Sequence, residues 1–318
     1  QTVKMKQTLN HTESDEPISK LSWWRVFIAL TILSIVSIGL YISWHQYQDT
    51  QKKASNTAWF ASYVDATATP IYPFEQLNSS GTNHVVLSFI VASPNDPCLP
   101  TWGGFYTIPE AKAKLDLDRR IARLRQQGGT ITISFGGLNN DELGFKCTDI
   151  NKLIAAYQMV IDQYSLDTID LDLEGEELNN NFSLEQRAIA LSELQKKYRS
   201  ENKNLAIWLT LPVAPQGLTE TGTNAIKIML AKGVDLAGVN VMTMDYGGSK
   251  NQTDSMNISS QKALTQTHRQ LGILYKQAGI ELNTASLWNK LGATPMIGQN
   301  DVVDEVFTIQ DAQEFNQF

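Results

Sequence analysis

The hydrophobic positions divide the chain into four parts. Residues 1–20 are polar and mixed in charge, without an apolar period. From Val26 to Trp44 nineteen residues follow one another without a charged side chain, enough for ~29 Å of helix. After a short polar stretch, strand-like and helix-like patterns alternate to the end of the chain. The pattern predicts a tail over 1–25, a transmembrane helix over 26–44, a linker over 45–56 and a globular domain over 57–318.

The apolar segment has the length of a bilayer's hydrocarbon core. It is longer than the apolar region of a typical signal peptide, and no small-x-small cleavage site follows it, which favours a retained anchor over a cleaved signal. Its ends are rich in the aromatic residues of membrane interfaces, namely Trp23, Trp24, Tyr41, Trp44 and Tyr47. Lys4, Lys6, Lys20 and Arg25 precede it, whereas Lys52 and Lys53 follow closely. This asymmetry predicts a cytoplasmic N-terminus and an extracytoplasmic domain at the cell surface, or a secreted domain if the anchor is cleaved.

Within the domain, β and α patterns alternate regularly, which predicts parallel strands joined by right-handed crossovers. Seven strands are predicted, at Ala58–Val64, His84–Ala92, Gly129–Phe135, Asp167–Gly175, Leu205–Leu211, Val234–Met242 and Thr294–Gly298. Helices are predicted at Pro109–Gln127, Thr148–Tyr164, Asn181–Tyr198, Ala225–Lys232 and Ser259–Gly279, and a last one starts near Gln310.

The fourth predicted strand carries an unusual set of acids. Side chains alternate along a strand, so Asp170, Asp172 and Glu174 share one face, each ~6.6 Å from the next, while leucine and isoleucine share the other. An acidic inner face that ends at a glycine predicts a barrel strand that delivers an acid to its C-terminal mouth. Two alternatives are an exposed edge strand with a solvated polar face and an acidic site for a hard cation.

Three like charges on a low-dielectric face cannot all ionise, so at least one carboxyl is expected to have a raised pKa and to remain protonated. A protonated carboxyl is what general acid catalysis needs. A metal site would recruit further ligands from other loops, but the chain has only four His, none in a paired spacing. We therefore expect no metal and no cofactor.

Composition fits one large α/β domain, since 42% of the residues are hydrophobic and 19% are charged. The formal net charge of −7, without a basic stripe, argues against a nucleic-acid partner. A neutral substrate fits this charge better.

The two cysteines fall in the loops after the second and third predicted strands. Neighbouring parallel strands bring such loops together at one mouth, and a disulfide persists outside the cytoplasm. We therefore predict a bond between Cys98 and Cys147; the alternative is two unrelated buried thiols.

Several motifs resemble glycoside hydrolase family 18, and bacterial chitinases in particular. Ser134-Phe-Gly136-Gly137 ends the third predicted strand, and Asp167-x-x-Asp170-x-Asp172-x-Glu174 closes the fourth. The resemblance extends from Trp59 to Phe318 and includes four further segments, Tyr63-Val-Asp65-Ala-Thr, the Trp102-Gly-Gly loop, Leu211-Pro212 and Met242-Thr-Met244-Asp245-Tyr246. It implies a (β/α)8 barrel of the TIM type that cleaves β-1,4 bonds between N-acetylglucosamine units with retention, using the substrate's acetamido group as nucleophile.

The resemblance also implies roles for single residues. Glu174 is expected to be the general acid and base, Asp172 to orient the acetamido group, and deeper Asp170 to share a proton with Asp172. Tyr246 is the candidate donor to the acetamido carbonyl. Substrate contacts are expected from Trp102, Met242, Asp245, Gln299 and Tyr63.

Some of these residues have a plainer interpretation. Gly136 and Gly137 serve either a tight turn or the approach of substrate, and Trp102 is either a sugar platform or a packed loop aromatic. The family pattern has an eighth strand, and the sequence predicts a barrel that is incomplete after its seventh. The alternative to a hydrolase is therefore a non-catalytic or inactive glycan-binding relative.

Overall fold

The computed structural model describes residues 23–53, 59–76 and 83–318, with side chains over 23–41, 59–76 and 83–318. The chain divides into two units, 1–55 and 56–318. The helices are α1 (Trp23–Lys53), α2 (Ile108–Lys114), α3 (Leu117–Gln126), α4 (Leu143–Lys146), α5 (Ile150–Gln163), α6 (Asn181–Ser200), α7 (Glu220–Ala231), α8 (Met256–Gln277), α9 (Thr284–Trp288) and α10 (Ile309–Phe315). The strands are β1 (Ser62–Asp65), β2 (His84–Ala92), β3 (Pro100–Trp102), β4 (Tyr106–Thr107), β5 (Thr130–Gly136), β6 (Thr168–Asp172), β7 (Ala206–Ala214), β8 (Gly217–Leu218), β9 (Leu236–Met242), β10 (Leu291–Thr294), β11 (Gly298–Gln299) and β12 (Val306–Phe307).

In the first unit, α1 contains the stretch Trp23–Tyr41, which is long and apolar enough to span a membrane. Three of its hydroxyl groups bond within the helix: Thr31 donates to the Phe27 carbonyl, Ser34 to Leu30 and Ser37 to Leu33. Such bonding suits an apolar environment, where an unpaired polar group is costly. The helix continues through Lys53, so most of the predicted linker 45–56 is helical; the basic residues of the predicted tail before residue 23 lie outside the described residues.

The second unit is built on seven parallel strands, as the alternation predicts. They lie in the order β1, β2, β5, β6, β7, β9 and β10, and within the described residues the two outer strands, β1 and β10, do not close the ring. The outward faces are apolar, with Ile133, Ile169, Leu171 and Leu209 fully buried beneath the helices. The inward faces of β5, β6 and β7 are polar, and the candidate site lies there.

Several predicted elements have different bounds in the structure, and two of these differences have a clear local cause. The predicted helix Pro109–Gln127 is two helices, α2 and α3, because the chain turns at Asp116, whose φ of 54° is a left-handed conformation that Asp tolerates. The seventh strand is Leu291–Thr294 rather than Thr294–Gly298, because Pro295 has no N–H to continue the ladder. Beyond it, β11 and β12 form a small antiparallel pair.

Cys98 and Cys147 form the disulfide that the sequence predicts. Their Cα atoms lie 4.7 Å apart, and 49 positions separate them in sequence. The bond joins the loop after β2 to the end of α4, so it holds two loops of the barrel mouth together.

Breaking this bond is expected to lower the free energy of unfolding by about 2–4 kcal/mol, because the reduced unfolded chain gains the freedom of a long loop. Urea unfolding of the oxidised protein with and without a reductant measures the loss. A Cys98→Ser/Cys147→Ser double variant is the control and should not respond to the reductant. Recovery of both cysteines as free thiols in non-reducing peptide mapping would contradict the prediction.

Candidate active site

Strand β6 places its carboxyl groups inside the sheet. It pairs with β5 on one side and β7 on the other, which excludes the exposed edge strand considered above. The side chains of Asp170 and Asp172 point inward and are buried, at 3% and 5% exposure. Ile169 and Leu171 fill the opposite face. The alternation read from the sequence therefore gives one polar and one apolar face.

Glu174 lies two residues beyond the end of β6, at the C-terminal mouth of the strands. Its backbone remains extended, with φ −135° and ψ 166°, so its side chain falls on the same face as Asp172. The side chain is partly exposed. Gly175, with φ +53°, then turns the chain into a short 3-10 helix, Gly175–Leu178. The acids of this segment therefore run from the buried Asp170 and Asp172 to the partly exposed Glu174.

Three hydroxyl groups from three other strands donate to Asp170. Ser134 of β5 and Tyr63 of β1 donate to Oδ2 at 2.6 and 3.0 Å, and Thr210 of β7 donates to Oδ1 at 2.6 Å. Both oxygens of Asp170 are therefore occupied by hydrogen bonds. A carboxylate that binds a metal ion would instead keep lone pairs of its oxygens free for that ion.

A second polar layer supports these donors. The Asn240 amide of β9 donates to the Thr210 hydroxyl at 3.0 Å and to the Thr294 hydroxyl of β10 at 2.6 Å. Thr210, Asn240 and Thr294 were not predicted as site residues from the sequence. These residues alternate with apolar neighbours along β7, β9 and β10. This alternation was the signal that could have identified them as polar residues of an inward face.

The buried carboxyl groups bind protons more tightly than free ones. Burial raises the pKa of Asp170, against the opposing effect of its three hydroxyl donors. Burial also raises the pKa of Asp172 well above its usual value, and the charges of Asp170, Glu174 and Glu177 raise it further. Burial raises the pKa of Glu174 as well. Among the described residues, Oδ1 of Asp172 has no hydrogen-bond partner, so this oxygen is an open acceptor in the site.

Two glycines at the end of β5 are required by geometry. Gly136 has φ 103°, and a Cβ there would overlap the Asp172 carbonyl oxygen. Gly137 has φ 83°, and a Cβ there would lie 2.9 Å from the Phe89 ring. The Gly137 N–H also donates to the Asp172 carbonyl at 2.9 Å. Both glycines therefore have a packing role, and they allow β5 to approach the acidic strand closely.

Residues 37–294 match the sequence profile described as glycosyl hydrolases family 18. The chain belongs to this family. It is 36% identical over 297 residues to "Probable bifunctional chitinase/lysozyme" of Escherichia coli (strain K12), covering 91% of this chain and 31% of that protein. It is 35% identical over 297 residues to "Endochitinase 11" of Metarhizium anisopliae, covering 91% of this chain and 53% of that protein. The family 18 chain thus spans 31% of the length of the first relative and 53% of the length of the second.

A solved structure of the same family has the same fold. The catalytic domain of the hyperthermophilic chitinase from Pyrococcus furiosus superposes with a TM-score of 0.69 at 29% sequence identity, over 82% of this chain and 79% of that one. A related crystal structure is described as active domain 2 of that chitinase complexed with chito-oligosaccharides, at 28% identity. The family 18 membership and this likeness agree with the barrel-type parallel sheet.

In this family 18 chain, Trp102 is not placed to bind a sugar, and the sequence-based expectation was wrong. Its side chain is fully buried, its Nε1 donates to the Tyr164 hydroxyl at 2.9 Å, and the two rings meet edge to face. A sugar platform must expose one face of the ring, whereas both faces of this indole are packed. Trp102 is the packed loop aromatic of the alternative interpretation.

The loop after β9 also differs from expectation. The Tyr246 side chain is 6% exposed, and its hydroxyl donates to Ser260 of α8 at 3.2 Å, so it is not free to reach an acetamido carbonyl. Burial raises the pKa of Tyr246. Asp245, rather than the tyrosine, contacts the neighbouring loop.

Asp245 and Gln299 organise the segment that contains β11 and β12. Asp245 accepts from the Val302 N–H at 2.9 Å, and the Gln299 amide donates to the Asn300 and Val303 carbonyls at 3.0 Å each. The remaining predicted contact, Met242, ends β9 and is partly exposed.

The same segment is tied to the loop after β9 by a buried acid that the sequence analysis missed. Glu305 accepts from the N–H groups of Tyr246 and Gly247 at 2.9 and 2.7 Å. Asp245 and Gln299 therefore have structural roles: their hydrogen bonds, together with those of Glu305, hold the segment that contains β11 and β12.

Proposed function

We propose that this protein hydrolyses β-1,4-linked N-acetylglucosamine chains with retention, with Glu174 as general acid and base and the substrate's acetamido group as nucleophile. Family 18 membership supports a glycosidase, and the similar proteins named as chitinases support a chitin-like substrate. The single observation that carries the mechanism is the placement of Asp172 and Glu174. They follow one another on the same face of one strand.

This placement argues against a protein nucleophile. The two-carboxylate retaining mechanism needs carboxyl groups on opposite sides of the sugar, about 5–5.5 Å apart. Asp172 and Glu174 approach from one side, and Asp172 lies deeper, between its register partners Gly136 of β5 and Thr210 of β7. A nucleophile from the substrate itself removes this geometric difficulty.

In the first step, the protonated Glu174 donates its proton to the glycosidic oxygen as the bond from that oxygen to C1 breaks. The acetamido carbonyl oxygen forms a bond to C1, and the leaving sugar departs as an alcohol. The raised pKa of Glu174 supports the proton donation. Asp172 accepts a hydrogen bond from the acetamido N–H and offsets the positive charge of the oxazolinium ion.

In the second step, a water molecule attacks C1 on the face that the leaving group left. The Glu174 carboxylate takes the proton from this water, and the bond between C1 and the acetamido oxygen breaks. Two inversions give net retention. Asp170, held by Ser134, Tyr63 and Thr210, shares a proton with Asp172 and adjusts the charge of the pair.

The acetamido requirement tests this proposal. A fully acetylated N-acetylglucosamine tetramer is expected to be cleaved with the β-anomer as the first product, and a glucosamine tetramer without acetyl groups at about one hundredth of that rate or less. Proton NMR follows both reactions, with the Glu174→Gln variant as the control for background hydrolysis. Equal cleavage of the two tetramers would contradict the proposal. Binding without any Glu174-dependent cleavage would also contradict it and would indicate a glycan-binding protein.

We further propose that α1 anchors the protein in a membrane with residues 56–318 outside. The apolar stretch Trp23–Tyr41 and the basic residues that precede the span support this orientation. Protease added to intact cells should digest the domain while residues 1–22 stay protected. A domain that resists digestion until the cells are lysed would contradict the orientation, and a mature N-terminus after residue 44 would show a cleaved signal peptide.

A further inference from the structure

A closed ionic cluster lies behind the turn that carries Glu174. Glu142, in the loop after β5, and Arg187, on α6, are both fully buried. Arg187 Nε donates to Glu142 Oε2 at 2.8 Å, the Gly144 N–H donates to the same oxygen at 2.6 Å, and the Tyr157 hydroxyl donates to Oε1. The mechanism proposed above uses none of these groups.

Glu177 joins this cluster to the turn after β6. It lies three residues after Glu174, and its side chain is turned inward with 6% exposure, whereas the neighbouring Glu176 is exposed. Its Oε1 accepts from the Glu142 N–H at 2.6 Å, and its Oε2 lies 3.9 Å from Arg187 Nη2. The Glu177 N–H donates to the Glu174 carbonyl at 3.2 Å, so both ends of this residue are fixed.

We propose that Glu177 is a positioning residue for Glu174: its carboxyl, bound to the Glu142 peptide N–H and facing Arg187, fixes the turn through which the chain leaves β6. The inference rests on the proposed role of Glu174 as the acid. Glu174 itself is extended and followed by Gly175, whose φ of +53° gives the backbone little resistance to rotation. The direction of the Glu174 side chain therefore depends on what holds the next turn.

The charges around Glu177 indicate whether its protonated or its ionised carboxyl holds the turn. Burial raises the pKa of Glu177 to about 8, and the charge of Glu142 adds to the rise, while Arg187 opposes it and Asp141 adds a smaller part. On the β6 side, Glu177 faces Asp172, whose pKa it raises in turn. These effects favour the protonated, neutral form of Glu177, while Arg187 pairs with Glu142 at 2.6 Å. Glutamine is the closest replacement for this neutral form.

Two variants separate positioning from mere stability. Glu177→Gln keeps an acceptor for the Glu142 N–H, so its kcat at pH 6.5 on the acetylated tetramer should stay within about threefold of the parent. Glu177→Met fills similar volume without an acceptor, so kcat should fall by about 10- to 100-fold with KM changed less than about threefold, because a misplacement near 1 Å has such an effect. The matched controls Glu176→Gln and Glu176→Met, on the exposed neighbour, should behave as the parent.

Amide hydrogen exchange gives a readout that does not depend on turnover. Exchange across residues 173–180 should rise about tenfold in Glu177→Met and not in Glu177→Gln. If Glu177→Met does not fold, Glu177→Asp replaces it, since it is one methylene too short to reach the Glu142 N–H and should lose kcat and exchange protection in the same sense.

Two results would overturn the inference: parental kcat and exchange in the Met or Asp variant, or equal losses in the Gln and Met variants. Failure of the proposed function is distinguishable, because it would appear as absence of Glu174-dependent cleavage in the parent itself. In that case the exchange measurement still decides whether Glu177 holds the turn.

Discussion

Glu174→Gln is expected to lower kcat for an N-acetylglucosamine oligomer by about 10²- to 10⁴-fold while binding stays within a few fold. Glutamine keeps the shape and the hydrogen bonds of the neutral acid but has no proton to transfer. Burial holds the pKa of Glu174 above its usual value, so the parent keeps that proton. Steady-state kinetics gives kcat, and calorimetric titration of the inactive variant gives the dissociation constant. Parental turnover by this variant would contradict the hydrolase mechanism.

Asp172→Asn provides the comparison within the same strand. It should also lose activity, because the charge that stabilises the oxazolinium ion is gone, but leaving-group protonation remains. Substrates with good leaving groups should therefore recover more activity in the Glu174 variant than in the Asp172 variant. The reverse order of recovery would mean that the two roles are exchanged. Glu176→Gln, two positions along and exposed, is the control for the chemistry of the substitution.

Arg187→Met is expected to lower the free energy of unfolding by about 3–5 kcal/mol. The substitution leaves Glu142, which is fully buried, with no cation beside it, and Glu177 faces the same gap. The midpoint of urea unfolding near pH 7 measures the loss.

Arg199→Met is the matched control on the same helix. Its ion pair with Asp235 spans 3.8 Å, and the two side chains are 50% and 71% exposed. Loss of such a pair should change stability by about 0–1 kcal/mol. A loss below about 1 kcal/mol in Arg187→Met would show that the cluster relaxes or admits water, and that the buried pair is not needed for folding.

The elements that the sequence predicted well are those with a strong local period. The bounds of β2 are those predicted, and the acidic strand β6 was recognised because charges alternate with leucine and isoleucine. The two outer parallel strands were less clear. β1 begins later than predicted, and β10, with Gly292 and Ala293 in four residues, has little β propensity of its own and depends on pairing with β9.

The site was predicted in its acids but not in their surroundings. Contacts between distant segments decided the outcome: the Trp102 indole is occupied by Tyr164, 62 positions away, and the Tyr246 hydroxyl by Ser260 on the next helix. Arg187 pairs with Glu142 across 45 positions, and no periodic pattern identifies one buried arginine among the charges of α6. Local spacing fixes which face a residue occupies, whereas the partner on that face depends on the tertiary fold.

The hydroxyl groups around Asp170 have a consequence for the speed at which charge can move in the site. Side chains of Ser134, Thr210 and Tyr63 turn their O–H bonds without displacing a heavy atom, and such rotations take picoseconds to nanoseconds. The Tyr63 and Thr210 oxygens lie 3.0 Å apart and can donate to one another once either is released from Asp170. If Asp170 shares a proton with Asp172 as proposed, the hydroxyl donors can reorient around that proton by rotation of their O–H bonds alone. The proposed exchange then requires no movement of the strands.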